Sequence, residues 1–78
     1  MSQLINQPII ISAVYFSGDM AAYPKRIEWD GQSIRLIDGI RCLIGQGGQL
    51  IELFDMTDGR NRYRLRQIGR RWTLLTLN

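Results

Sequence analysis

The sequence predicts a small all-β domain, on three observations. Apolar residues recur with a period of two along nearly the whole chain, and helical spacing is not sustained over any window of about 11 residues. β-branched and aromatic residues fill the apolar runs. Glycine with Asp, Asn or Gln punctuates those runs at short intervals, as in "WDGQ", "GQGG" and "TDGRN". At 78 residues the chain reads as one domain over residues 1–78, and 45% hydrophobic with 22% charged residues excludes the disordered class.

About six strands are expected. The first is "PIIISAVYF", residues 8–16, preceded by a flexible N-terminus over residues 1–7. A loop, "SGDMAAYP", follows, with room for a helical turn from Asp19 to Ala22. "KRIEW", residues 25–29, and "SIRLID", residues 33–38, flank an Asp-Gly step that signals a two-residue hairpin. That turn sets Ile27 against Ile34 on one face, and Glu28 against Ser33 on the other. Arg26 then faces Arg35 on the outer side. Gly39 is read as a bulge or a bend, because the apolar run resumes at once as "IRCLI". There Cys42 shares parity with Ile40 and Ile44 and reads as buried. A "GQGG" loop leads to "QLIELFDM", residues 49–56, and the last two strands are "RNRYRLRQ" and "RWTLLTL".

Register in the C-terminal half follows from side-chain parity. A three-residue loop at Thr57, Asp58 and Gly59 pairs Leu53 with Tyr63, Ile51 with Leu65 and Glu52 with Arg64. It puts Phe54 opposite Arg62 on the outer face. A turn at Ile68 and Gly69 then brings Trp72 beside Leu65 and Leu74 beside Tyr63. The expected core face is Ile51, Leu53, Tyr63, Leu65, Trp72 and Leu74. Six hairpin-linked antiparallel strands bury such a face by curling strongly into a small barrel, SH3-like or OB-like.

Composition removes several function classes. With no histidine and a single cysteine, the usual general base, a thiol dyad and a disulfide framework are all missing, so no catalysis, metal or cofactor is expected. No apolar run reaches the ~20 residues of a membrane helix, and "MSQLINQPIIIS" lacks a signal peptide's basic start, which points to the cytoplasm.

Charge is concentrated at one end. Residues 1–59 hold four basic and seven acidic side chains, whereas residues 60–78 hold six arginines and no acid. Arg60, Arg62, Arg64 and Arg66 alternate along one strand, Arg70 and Arg71 extend the row, and Arg26 with Arg35 adds a second pair. Long cations on the wet face of a half-buried strand need no further role. Yet uniform like charges repel, and guanidinium forks suit phosphate and carboxylate. The row therefore reads as a face that contacts the backbone of single-stranded nucleic acid or RNA, or another polyanion. The alternative is a protein-interaction or homodimeric module. Its arginines meet an acidic partner, Phe54, Leu75 and Leu77 lie beside them as interface, and the two-sided apolar first strand is covered by a second copy or by a barrel.

The segments "PKRIEWDGQSIRLID" and "DGRNRYRLRQIGRRWTLLTL" resemble a group of small uncharacterised bacterial all-β proteins. Their pattern is a Pro-x-Arg-x-x-Trp-x-Gly hairpin, an Asp-Gly turn, a Tyr-Arg-Leu strand and a final Trp-x-Leu strand. Pro24, Arg26, Trp29, Gly31, Asp58, Gly59, Tyr63, Arg64, Leu65, Trp72 and Leu74 occupy those positions. The resemblance implies a β fold and a bacterial cytoplasmic origin, and it assigns no activity to any residue.

Overall fold

The computed structural model describes every residue except Met1 and Asp19. Eight strands form: β1 (Gln3–Pro8), β2 (Ile10–Phe16), β3 (Ala22–Trp29), β4 (Gln32–Arg35), β5 (Asp38–Gln46), β6 (Gln49–Thr57), β7 (Arg62–Ile68) and β8 (Arg71–Leu77). They make two antiparallel sheets, one of five strands in the order β1-β8-β7-β6-β5 and one of three in the order β2-β3-β4. The all-β expectation holds, and among the described residues two layers without a closed barrel stand where a curled sheet of about six strands was expected. One core lies between the layers, with Ile9, Ile27, Ile34 and Leu36 on one side and Phe54, Met56, Tyr63, Leu65 and Leu74 on the other.

The chain changes sheet twice without a turn. Residues 1–7 were expected to be flexible and residues 8–16 to form one strand. Instead Gln3–Pro8 pairs with β8, Ile9 donates its N–H to the Trp72 carbonyl at 3.1 Å, and β2 then joins β3. The second crossing falls at Leu36 and Ile37 rather than at Gly39. Leu36 still donates to Lys25 O (2.7 Å), while the next N–H, of Ile37, already reaches Thr57 O (2.8 Å). The helical turn expected from Asp19 to Ala22 falls partly on Asp19, outside the described residues. Met20 has φ of 68°, and β3 has begun by Ala22.

The Asp30-Gly31 hairpin forms as read, with both residues at positive φ (54° and 71°), pairing Ile27 with Ile34, Glu28 with Ser33 and Arg26 with Arg35. In "GQGG" only Gly47 and Gly48 turn, both with positive φ, and Gly45 and Gln46 belong to β5. Aromatic rings join the layers: Tyr15 stacks on Tyr23 (5.3 Å), Tyr23 meets Phe54 edge-on (5.6 Å), and Phe54 tilts against Trp72 (5.3 Å). A polar tie runs alongside, from Trp29 Nε1 to Gln7 Oε1 at 2.8 Å.

Candidate functional site

The loop between β6 and β7 decides which side chains share a face with the arginines. The pairings are Phe54 with Leu65, Met56 with Tyr63, Leu53 with Arg66 and Asp55 with Arg64, so the connection spans residues 58–61 and not Thr57 to Gly59. Two side chains hold it open. Asp58 Oδ1 accepts the N–H groups of Arg60 (2.8 Å) and Asn61 (2.7 Å), and its Oδ2 accepts the Tyr63 hydroxyl (2.8 Å). Thr57 Oγ1 donates to Asn61 O (2.9 Å) and accepts from Gly59 N (3.0 Å). With those backbone groups satisfied locally, Arg60 and Asn61 stay out of the ladder.

Burial pushes the Asp58 carboxyl up, but the amides of Asn61 and Arg60 and the Tyr63 hydroxyl outweigh it, and the carboxyl titrates below its ordinary value. A carboxyl depressed in the folded state stabilises above its unfolded pKa of about 3.9, and that contribution is lost as pH falls through the lower folded value. Asp58→Ala should therefore lose about 1–2 kcal/mol at neutral pH. Its melting temperature should also fall less steeply than that of the wild type below pH ~4, as thermal melts across pH will read.

The shifted register corrects several expectations. Phe54, expected on the surface opposite Arg62, is fully buried in the core. Ile51 and Leu53, expected in the core, are half-buried on the outer face, where Leu53 faces Arg66. Cys42 is exposed rather than buried. In the last hairpin Leu65 faces Leu74 and Gln67 faces Trp72, and a bulge at Leu75 brings Leu77 opposite Tyr63. Leu77 thus packs against the core and Leu75 is half-buried, so the expected surface cluster of Phe54, Leu75 and Leu77 does not form.

The β7 parity survives, because Tyr63 and Leu65 are both buried. Arg62, Arg64 and Arg66 consequently point from the outer face of the five-stranded sheet, at steps of about 6.8 Å. Arg71, facing Ile68, continues them on β8. Arg60 sits in the 58–61 loop and Arg70 in the following turn, both exposed at the ends of the row. Arg26 and Arg35 lie on the three-stranded sheet, where Arg26 Nε donates to Ser12 Oγ at 2.9 Å, and they form no part of this face.

Among the described residues, one arginine of the row is neutralised. Arg64 clamps Asp55 through two bonds, Nε to Oδ1 (2.7 Å) and Nη2 to Oδ2 (3.0 Å), and this pairing raises its pKa further. Glu52, expected opposite Arg64, instead accepts from Arg41 Nε at 2.8 Å on the inner side. Among the described residues, Arg60, Arg62, Arg66, Arg70 and Arg71 make no ion pair. Beside this row runs an apolar column that sequence reading assigned to the core: Ile40, Cys42 and Ile44 on β5, with Leu53 and Ile51 on β6. The sequence signal pointed the other way. Glu52 has the parity of Phe54, and it is accommodated there by Arg41.

Among the described residues, no group of three or more His, Cys, Asp or Glu side chains could hold a metal ion, and no helix is long and apolar enough to cross a membrane. No family model, curated protein or solved structure matches the chain.

Proposed function

We propose that the chain is a non-catalytic binding module whose arginine face contacts the phosphate backbone of single-stranded nucleic acid or RNA. The observation that carries this reading is the set of cations that, among the described residues, make no ion pair. Arg62, Arg66 and Arg71 stand on one face, with Arg60 and Arg70 at its ends, and the single acid in register with the row, Asp55, is taken by Arg64. Repulsion within the row is relieved when phosphates intervene. Base reading is not part of the proposal. Tyr23, Phe54 and Trp72 pack together in or against the core, and the exposed Phe16 is on the other sheet.

Fluorescence anisotropy with labelled oligo-dT and oligo-U over a salt series tests it. Three free face arginines predict a log–log salt slope near −2, at about −0.7 per neutralised phosphate. Arg62→Ala, Arg66→Ala and Arg71→Ala should each flatten it by ~0.7, and Asp55→Asn should steepen it by a similar amount by freeing Arg64. Asp55→Asn removes an exposed pair worth about 0–1 kcal/mol, so the fold is retained. Arg26→Ala and Arg35→Ala should change nothing. Undetectable binding at about 50 mM salt and ~10 µM protein, within the range of nonspecific affinities, overturns the reading.

A second reading, an acidic protein partner, is favoured by the apolar column beside the arginines, since arginine next to aliphatic surface is common interface composition. It is distinguished by its dependence on Leu53 and Ile51, which backbone binding to an oligonucleotide would not share.

A further inference from the structure

We infer that two copies of this chain pair antiparallel through β5, joining their five-stranded sheets across a two-fold axis at Cys42. β5 is the last strand of its sheet, nine residues long, and among the described residues nothing covers its outer edge. Gly39 donates its N–H to Asp38 Oδ1 (2.8 Å), a side chain of its own strand. Alternation therefore turns the N–H and C=O groups of Arg41, Leu43 and Gly45 toward the open edge. Both faces of the strand and its hairpin are apolar and accessible: Ile40 is 68% exposed and Ile44 38% on the outer face, and Leu43 49% and Leu50 57% on the inner. An uncovered strand of this kind is a template for another chain.

The other edges are blunted. β1 carries a register shift between Leu4 and Gln7, a positive φ at Asn6 and Pro8 at its end. β2 is broken by two register shifts around Ala13, and β4 has only four residues. The first strand of the sequence reading, residues 8–16, for which a second copy was one of two possible covers, is thus the poorer template.

What selects a second copy as the partner is the strand's own symmetry. About Cys42 the sequence "IRCLI" reads Ile-x-Cys-x-Ile in either direction. Antiparallel self-pairing at that centre overlaps the whole of Asp38–Gln46. It sets Ile40 against Ile44 of the second copy on the outer face and Arg41 against Leu43 of the second copy on the inner. No like charges meet, and Arg41 remains held by Glu52. A slip that set Arg41 against its own copy would oppose two guanidinium groups. The strip is about 30 Å long, so a width of ~20 Å supplies the roughly 600–1,000 Å² that each partner of a stable complex buries. The two arginine columns would then lie on one continuous face about 24 Å apart, five strand spacings. The dimer itself does not depend on what the arginines bind.

Light scattering at about 100 µM, with oxidative cross-linking, tests it. The expected mass is twice the 9.0 kDa of one chain. The edge geometry makes Cys42 and its copy a non-hydrogen-bonded pair with Cα atoms ~4.5 Å apart, close enough for a disulfide. Mild oxidation of the wild type should give a covalent dimer, which Cys42→Ser abolishes. Ile40→Lys with Ile44→Lys opposes ammonium groups across the axis and should yield a monomer with an unchanged far-UV spectrum. A single-chain mass for the wild type overturns the proposal. So does a dimer that resists cross-linking at Cys42, or one that survives the double lysine variant.

Discussion

Replacing Phe54 by alanine is expected to remove about 3–5 kcal/mol of folding stability. Phe54 is fully buried and contacts Tyr23 of the three-stranded sheet and Trp72 of its own, so truncation opens the seam between the layers. A chain of this length has on the order of 4–12 kcal/mol to lose. At about 4–8 °C per kcal/mol, the melting temperature should fall by at least ~12 °C. Leu53→Ala, one residue earlier on the outer face, should cost about 1 kcal/mol. The pairing of Leu53 with Tyr63 read from parity demands the reverse order, since it exposes Phe54 and buries Leu53. Urea titration of the two variants decides between the registers. A large loss for Leu53→Ala with a small one for Phe54→Ala would remove both the observed pairing and the apolar column beside the arginines.

That register was illegible in the sequence for a definable reason. "QLIELFDM" has apolar residues on both faces, so alternation alone cannot orient it. The inward position of Glu52 looks forbidden until Arg41, also inward, is seen to hold it at 2.8 Å. Loop length was equally ambiguous. Gly59 invited a three-residue turn, whereas the hydrogen bonds of Asp58 and Thr57 build one of four residues. At the Asp30-Gly31 hairpin the turn signal and the alternation agreed, and every pair was read correctly. The outward arginines were legible because Tyr63 and Leu65 keep their faces in both registers. The two crossings at Ile9 and at Leu36 and Ile37 left no mark, because an extended chain passes from one sheet to the other without glycine or a turn. Unread, they left β1 as a flexible segment, ran β4 and β5 together and suggested a barrel.

Gly39→Ala should destabilise the fold by about 1–3 kcal/mol or more, while Gly45→Ala in the same strand should be neutral or stabilising by up to ~1 kcal/mol. Both glycines have inward parity on β5, and neither has positive φ. What differs is the space. A Cβ on Gly39 would run into Met56 Sδ and lie 2.5 Å from Asp55 O and 2.9 Å from Met56 Cα, whereas nothing stands within 4 Å at Gly45. Met56 is almost fully buried, with its thioether laid where a side chain at position 39 would go. The sulfur can swing aside, but the backbone of β6 cannot, so alanine must push the strands apart where the chain has just entered the sheet. Gly39, read from sequence as a bulge or a bend, thus serves as the close contact that seats β5 against β6. At Gly45 the position is exposed and open, and a methyl group only reduces the freedom of the unfolded chain. Thermal melts should show a lower midpoint for Gly39→Ala and an unchanged or higher one for Gly45→Ala. Equal shifts would mean that β5 does not lie against β6 as described, and the open edge that pairs two copies would be lost with it.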